Sequence, residues 1–183
     1  MLAARAVAAT ARLALAAGLL AALAGCGRPA AAPAPLIEGR AFPAFMFNDV
    51  LRVPQSAYRD KTLVLNIWAT WCAPCRKEMP DLERLSRQLD PSRFAVVGLS
   101  VDSDPLLVAE FLMRSGVSFA NLLDQDGKMS RQMGLEVYPQ TFLIARDGTL
   151  LRRLSGWQDW NGAPMLALLE AADRRARGGH GAP

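Results

Sequence analysis

The apolar run "TLVLNIWA" (Thr62–Ala69) leads directly into "TWCAPCRKEMP" and then into a helical pattern, and this junction limits the possible folds more than any other stretch. The run is β-branched or apolar at nearly every position, as in a strand buried on both faces at the centre of a sheet. Beyond it, Leu82, Leu85 and Leu89 recur at helical spacing among Asp81, Glu83, Arg84 and Arg87, which predicts a helix from about Ala73 to Leu89. Cys72 and Cys75 thus fall where a central strand gives way to a helix. Unpaired amides and the helix dipole favour an anion at that point. A thiolate is such an anion, and its pKa falls from ~8.5 to ~7 or below in Cys-x-x-Cys motifs. Arg76 and Lys77 add positive charge nearby, and Pro74 donates no amide and stiffens the loop. Cys72 reads as the exposed nucleophile and Cys75 as the resolving thiol, in a cycle of attack, mixed disulfide and release.

Other uses of the pair fit less well. A zinc site needs about four ligands, and the remaining donors of this kind are Cys26 and His180, the latter in a glycine-rich tail. A structural disulfide across so short a loop would restrain little unfolded-state entropy. A c-type haem requires histidine after the second cysteine, where Arg76 stands. Copper(I) held by two thiolates remains an alternative.

The N-terminus says where such chemistry would take place. Residues 1–25 read as a lipoprotein signal peptide, with Arg5 and Arg12, an apolar core from Leu13 to Ala24, and "LAGC" ending at Cys26. Cys26 would be acylated, tethering the chain to a membrane surface outside the cytoplasm, where disulfides persist. Loss of the signal removes two arginines and no acids, so the net charge falls from +4 to +2, too mild to suggest a nucleic-acid partner. Residues 26–41 form the lipidated cysteine and a Pro/Ala-rich linker. Residues 42–177 form the folded domain, and 178–183 a disordered tail.

Within the domain, "FPAFMF" and "LRVP" suggest an N-terminal β-hairpin, and "RFAVVGLSVD" a second central strand. Asp104 and Pro105 open a helix that stops at Gly116. "SFANLLD" is a short strand, "GKMSRQMG" a short helix and "QTFLIARDGTLLRRLSG" a hairpin. A closing helix runs from about Gly162 to Arg177, opened by Asn161 and Pro164, and Trp157 and Trp160 are expected to pack the last hairpin against it. The alternation predicts an α/β fold, a mixed central sheet flanked by helices.

"WATWCAPCRKEMP" together with "VYPQTFLI" (Val137–Ile144) resembles the thioredoxin-like fold of the TlpA/ResA-like thiol-disulfide oxidoreductases, including the extra helix and strand after "VVGLSVD". The resemblance implies that Pro139 is a cis-proline facing the Cys72–Cys75 disulfide, and that the backbone at Tyr138 pairs with an extended substrate. Trp71, Ala73, Pro74 and Tyr138 become the expected substrate-contacting surface. Thioredoxins carry an Asp six residues before the first cysteine, where this chain has Asn66, which cannot accept a proton. Glu78 shares a helix face with Cys75, and ResA-like proteins have a functional Glu at that place. A partly buried Glu78 would carry a raised pKa and move the resolving thiol's proton; the competing reading is a solvated Glu78 paired with Arg76 or Lys77. Trp68 is read as core.

The resemblance further implies a protein-disulfide reductase that needs no cofactor or metal beyond its cysteines. Its expected partners are apocytochrome c, then the copper-site thiols of cytochrome oxidase, with a CcdA/DsbD-like membrane electron donor. A disulfide-forming oxidase and a copper chaperone are the rival functions.

Overall fold

The computed structural model describes residues 36–43, 58 and 60–178. The signal sequence, Cys26, most of the linker, all but Phe42 and Pro43 of the hairpin expected over Phe42–Pro54, and the tail with His180 lie outside the described residues. Among the described residues no helix is long and apolar enough to cross a membrane.

Strand β1 (Thr62–Trp68) is buried at every residue, as its two-sided apolar composition requires. It is followed by α1 (Ala73–Gln88), β2 (Phe94–Ser100), α2 (Pro105–Ser115), β3 (Ala120–Leu123), α3 (Lys128–Gln132), β4 (Gln140–Ile144), β5 (Leu150–Ser155) and α4 (Ala163–Gly178). The sheet order is β3-β2-β1-β4-β5. The three strands from β3 to β1 are parallel, and β4 and β5 run antiparallel to their neighbours. This is the expected mixed sheet with the extra helix and strand, α2 and β3, in place.

Alternation along β1 divides the core in two. Val64 and Trp68 face Met79, Leu82 and Leu85 of α1 and Met165 and Leu169 of α4. Leu63, Leu65 and Ile67 face Met129 of α3, then Met133, Leu135 and Phe42. Helix α2 starts and stops where its sequence dictates. Asp104 Oδ1 accepts from the Leu106 amide at 2.8 Å, Pro105 follows, and Gly116 ends the helix in the left-handed conformation at φ 68°. Gly98 of β2 is needed for a different reason. The indole of Trp68 donates to Asn121 Oδ1 across it at 2.9 Å, and a Cβ on Gly98 would lie 1.9 Å from that oxygen.

Two findings differ from the sequence reading. The linker was expected to extend to residue 41, but residues 36–41 lie along β5. The Gly39 amide donates to Leu150 O, the Leu150 amide to Arg40 O, and Glu38 meets Arg152 and the Arg153 amide. Leu36 packs on the core beneath. Asn161 does not cap α4 with its side chain; its amide instead donates to the Asp81 carbonyl of α1 at 3.2 Å.

Helix α1 is tied to the extra helix and strand by one carboxylate. Glu83 accepts from the Ser118 amide (2.7 Å), the Ser118 hydroxyl (2.7 Å), the Phe119 amide (3.3 Å) and Arg87 (2.6 Å). Burial pushes its pKa up, but these donors outweigh burial and hold it down at about 2. Because the folded value lies below the ordinary carboxylate value, Glu83 stabilises the fold fully above about pH 4.5 and loses that contribution as pH falls through about 2. Glu83→Ala should therefore cost about 2–3 kcal/mol at pH 7, with the difference from the parent vanishing towards pH 2, as read by urea denaturation at each pH.

Candidate active site

The turn out of β1 is held rigidly before the first cysteine. Asp102, just past the end of β2, accepts from the Thr70 amide (2.9 Å), the Thr70 hydroxyl (2.6 Å) and the Ser100 hydroxyl (2.6 Å). Arg76 Nη1 closes the loop from the helix side by donating to the Thr70 carbonyl at 2.8 Å. Neither Asp102 nor this use of Arg76 was anticipated. The sequence signal was an acid directly after a central parallel strand, where neighbouring strands end side by side and loops converge.

Cys72 is the N-cap residue of α1, and its Sγ accepts from the Cys75 amide at 3.3 Å. The two cysteines are joined as a disulfide, with an S–S distance of 2.04 Å. Cys75 is fully buried and Cys72 only 6% exposed, so the expected exposed nucleophile is nearly covered in the oxidised protein. Its neighbours carry the exposure instead. Trp71 is 62% exposed, Ala73 and Pro74 are exposed, and the Trp71 ring stands edge-on to Tyr138 at 5.8 Å. The Tyr138–Pro139 peptide bond is cis, and Pro139 is buried while Tyr138 packs against the cluster containing both cysteines. Beside Thr70 and Arg76 a cleft of about 490 Å³ extends along α2, lined also by Leu107, Glu110, Phe111 and Arg114.

Glu78 lies one helical turn beyond Cys75 and has no exposed surface. It pairs with neither Arg76 nor Lys77; the Lys77 ammonium sits 4.9 Å over the Trp157 ring. Its Oε1 accepts from Asn66 Nδ2 at 2.7 Å, and its Oε2 from Trp160 Nε1 at 3.2 Å and the Gln158 amide at 3.3 Å. Asn66 Nδ2 also reaches Thr141 Oγ1 at 2.9 Å, across the β1–β4 pair. Burial raises the Glu78 pKa to about 7, against the opposing effect of the Asn66, Trp160 and Gln158 hydrogen bonds, with Asp81 raising it slightly further. Of the two late tryptophans, Trp160 packs among Leu143 of β4 and Met165 and Leu169 of α4 as expected, whereas Trp157 does not. Trp157 is half-exposed over Lys77, and Trp160 is buried with its polar edge on Glu78. An indole needs a hydrogen-bond acceptor when buried, and Glu78 is the one in reach.

A disulfide at a helix N-terminus, with the tyrosine of a cis Tyr–Pro bond packed against its cluster and a buried carboxylate one turn further along the helix, can exchange thiols and disulfides and move a proton. Residues 37–160 match the family model described as Redoxin. The chain belongs to the redoxin family. It is similar to the thiol-disulfide oxidoreductase ResA of Bacillus subtilis, with 30% identity covering 65% of this chain and 68% of ResA. It is also similar to a Pasteurella multocida protein named "Probable thiol:disulfide interchange protein DsbE-2", with 31% identity covering 76% of this chain and 77% of that one. Among solved structures, a thiol-disulfide isomerase from Corynebacterium glutamicum matches with a TM-score of 0.60 at 20% identity, over 76% of this chain and 96% of that one, which shows the fold. The redoxin chain is therefore a thioredoxin-like thiol-disulfide oxidoreductase, an enzyme whose redox group is a cysteine pair.

The raised Glu78 pKa has a direct effect on stability. The folded protein holds a proton that the unfolded chain releases near pH 4.5, so stability falls as pH rises from about 4.5 to about 7. The penalty reaches up to about 3 kcal/mol above that window. Glu78→Gln should thus leave the oxidised protein about 1–3 kcal/mol more stable than the parent at pH 8 and nearly equal to it at pH 4.5, measured by denaturant unfolding with the disulfide intact.

Proposed function

We propose that this redoxin reduces protein disulfides outside the cytoplasm while tethered to a membrane through Cys26. The observation that carries the reading is a fully buried Glu78 one turn beyond an equally buried Cys75. In the reduced enzyme, the Cys72 thiolate is stabilised by the amides at the start of α1 and attacks one sulfur of a substrate disulfide. The Cys72–substrate bond forms as the substrate disulfide breaks, and the leaving sulfur takes a proton from water. Glu78 then removes the Cys75 proton, and Cys75 attacks Cys72 Sγ. This forms the intramolecular disulfide and releases the second substrate thiolate. Two electrons pass from the enzyme dithiol to the substrate. The roles of Trp71, Ala73, Pro74 and Tyr138 are to contact the substrate. The Tyr138 peptide makes no hydrogen bond to another described residue, which suits pairing with an extended substrate strand.

The direction of electron flow is inferred from the tether and the family resemblance. A tether through Cys26 would keep the enzyme near a membrane electron donor, of the CcdA/DsbD kind, that recharges the thiols. The substrate favoured by the family is apocytochrome c before haem attachment, with copper-site thiols second. No cofactor or metal enters the cycle.

Cys75→Ala should trap the substrate as a mixed disulfide on Cys72, identified by mass spectrometry of the membrane fraction. Capture of a Cys-x-x-Cys-His protein supports the assignment, and no adduct on Cys72 overturns the exchange role. Equilibration with glutathione checks direction: a reductase should sit well below the roughly −120 mV of a strong oxidant, and a value near that figure would make the enzyme an oxidase.

A further inference from the structure

Asn66 stands where thioredoxins place a carboxylic acid, and its surroundings give it a task of its own. It is fully buried, and its Oδ1 has no hydrogen-bond partner. Its Nδ2 makes two bonds, to Glu78 Oε1 and to Thr141 Oγ1. Both partners are reversible. A carboxylate oxygen only accepts, but a protonated one donates; a hydroxyl does either. On the opposite oxygen of Glu78 the partners are fixed, because an indole N–H and a backbone N–H can only donate. Oε2 must therefore remain an acceptor whatever the charge on Glu78. A proton arriving at Glu78 settles on Oε1, facing Asn66.

Where that proton takes the lone pair aimed at Asn66, Oε1–H and Nδ2–H meet in an unfavourable donor–donor encounter. A half-turn of the Asn66 amide removes it, since the amide oxygen and nitrogen occupy nearly the same space. Oδ1 then accepts from both the Glu78 carboxyl and the Thr141 hydroxyl, reversing both bonds, while Nδ2 moves to the place where Oδ1 had no partner. We propose that Asn66 is a two-way positioning residue whose amide turns over as Glu78 takes and releases the Cys75 proton, and that Trp160 and the Gln158 amide confine that proton to Oε1. The inference rests on the proposed proton-transfer role of Glu78. An aspartate at position 66 would be a second acid beside Glu78; an amide changes partners and keeps no charge of its own. The groups bonded to Glu78 are Asn66 of β1 and Gln158 and Trp160 of the segment before α4, and the charge that acts on it is Asp81 of the same helix; Arg76 and Lys77 are turned to the Thr70 carbonyl and the Trp157 ring.

The test is nuclear magnetic resonance of the oxidised full-length chain, following Glu78 Cδ and the Asn66 side-chain amide over pH. The expected result is one shared midpoint for both. In Glu78→Gln, whose NH₂ imitates the protonated Oε1, the Asn66 signals should sit at their low-pH positions at every pH. Trp160→Phe removes one fixed donor and should give about tenfold more of the Glu78 acid form at a given pH, with Asn66 following the new midpoint. Asn66 signals that stay flat while Glu78 titrates, or that take the high-pH position in Glu78→Gln, overturn the inference. Co-titration without disulfide-reductase activity would instead count against the proposed function alone. Activity with a flat Asn66 would count against this inference alone.

Discussion

A carboxylate shut away from water, one helical turn behind a disulfide, is the constraint around which this domain is organised. An ion in that place is costly unless donors surround it, and here they come from two separate parts of the chain: Asn66 from β1, and the Gln158 amide and Trp160 indole from the segment before α4. None of these is local to Glu78 in sequence. The segment between β5 and α4 must therefore close over α1 for the site to exist. The pKa of about 7 is the balance between burial and those donors, and it places the group where a proton can move in either direction near neutral pH. Structural packing and acid–base chemistry are set by the same few atoms.

The supporting architecture follows the same economy. Asp102 fixes the turn before Cys72 from the end of the neighbouring parallel strand. The absence of a side chain at Gly98 lets Trp68 reach Asn121 and draws β1 and β3 together over β2. Glu83 fastens the extra helix and strand to the helix that carries the cysteines. Each anchor joins elements far apart in the chain, so the geometry at the disulfide depends on the whole sheet being assembled.

That pattern explains what could be read from the sequence. Elements governed by local rules were legible: β1 by its continuous apolar run, α2 by the Asp104–Pro105 start and Gly116 stop, and the Cys72–Cys75 pair by its place at a strand–helix junction. Glu78 was legible as a candidate because helical spacing alone puts it on the face of Cys75. Its partners were not. Trp160 is 82 residues away and carries no motif, and a tryptophan beside a terminal helix reads as core until its N–H is seen to need an acceptor. Asn66 was noticed for the proton it cannot take, whereas its importance lies in the bonds it donates. Residues 36–41 read as linker because their composition is linker-like, but main-chain pairing with β5 depends little on side-chain identity.

The docking of residues 36–41 has a mechanical consequence. These residues add a partial outer strip beyond β5, so the sheet from the point of chain entry runs strip, β5, β4 and then β1, which leads to the cysteines. A pull on the chain upstream of residue 36 loads the Glu38 contacts with Arg152 and Arg153 first, and then the Gly39–Leu150 pair, one after another. Bonds loaded in series yield one at a time under modest force. The strip can peel away while two intact strands still separate the strain from the disulfide, so a chain held by its N-terminus can be tugged without disturbing its redox centre.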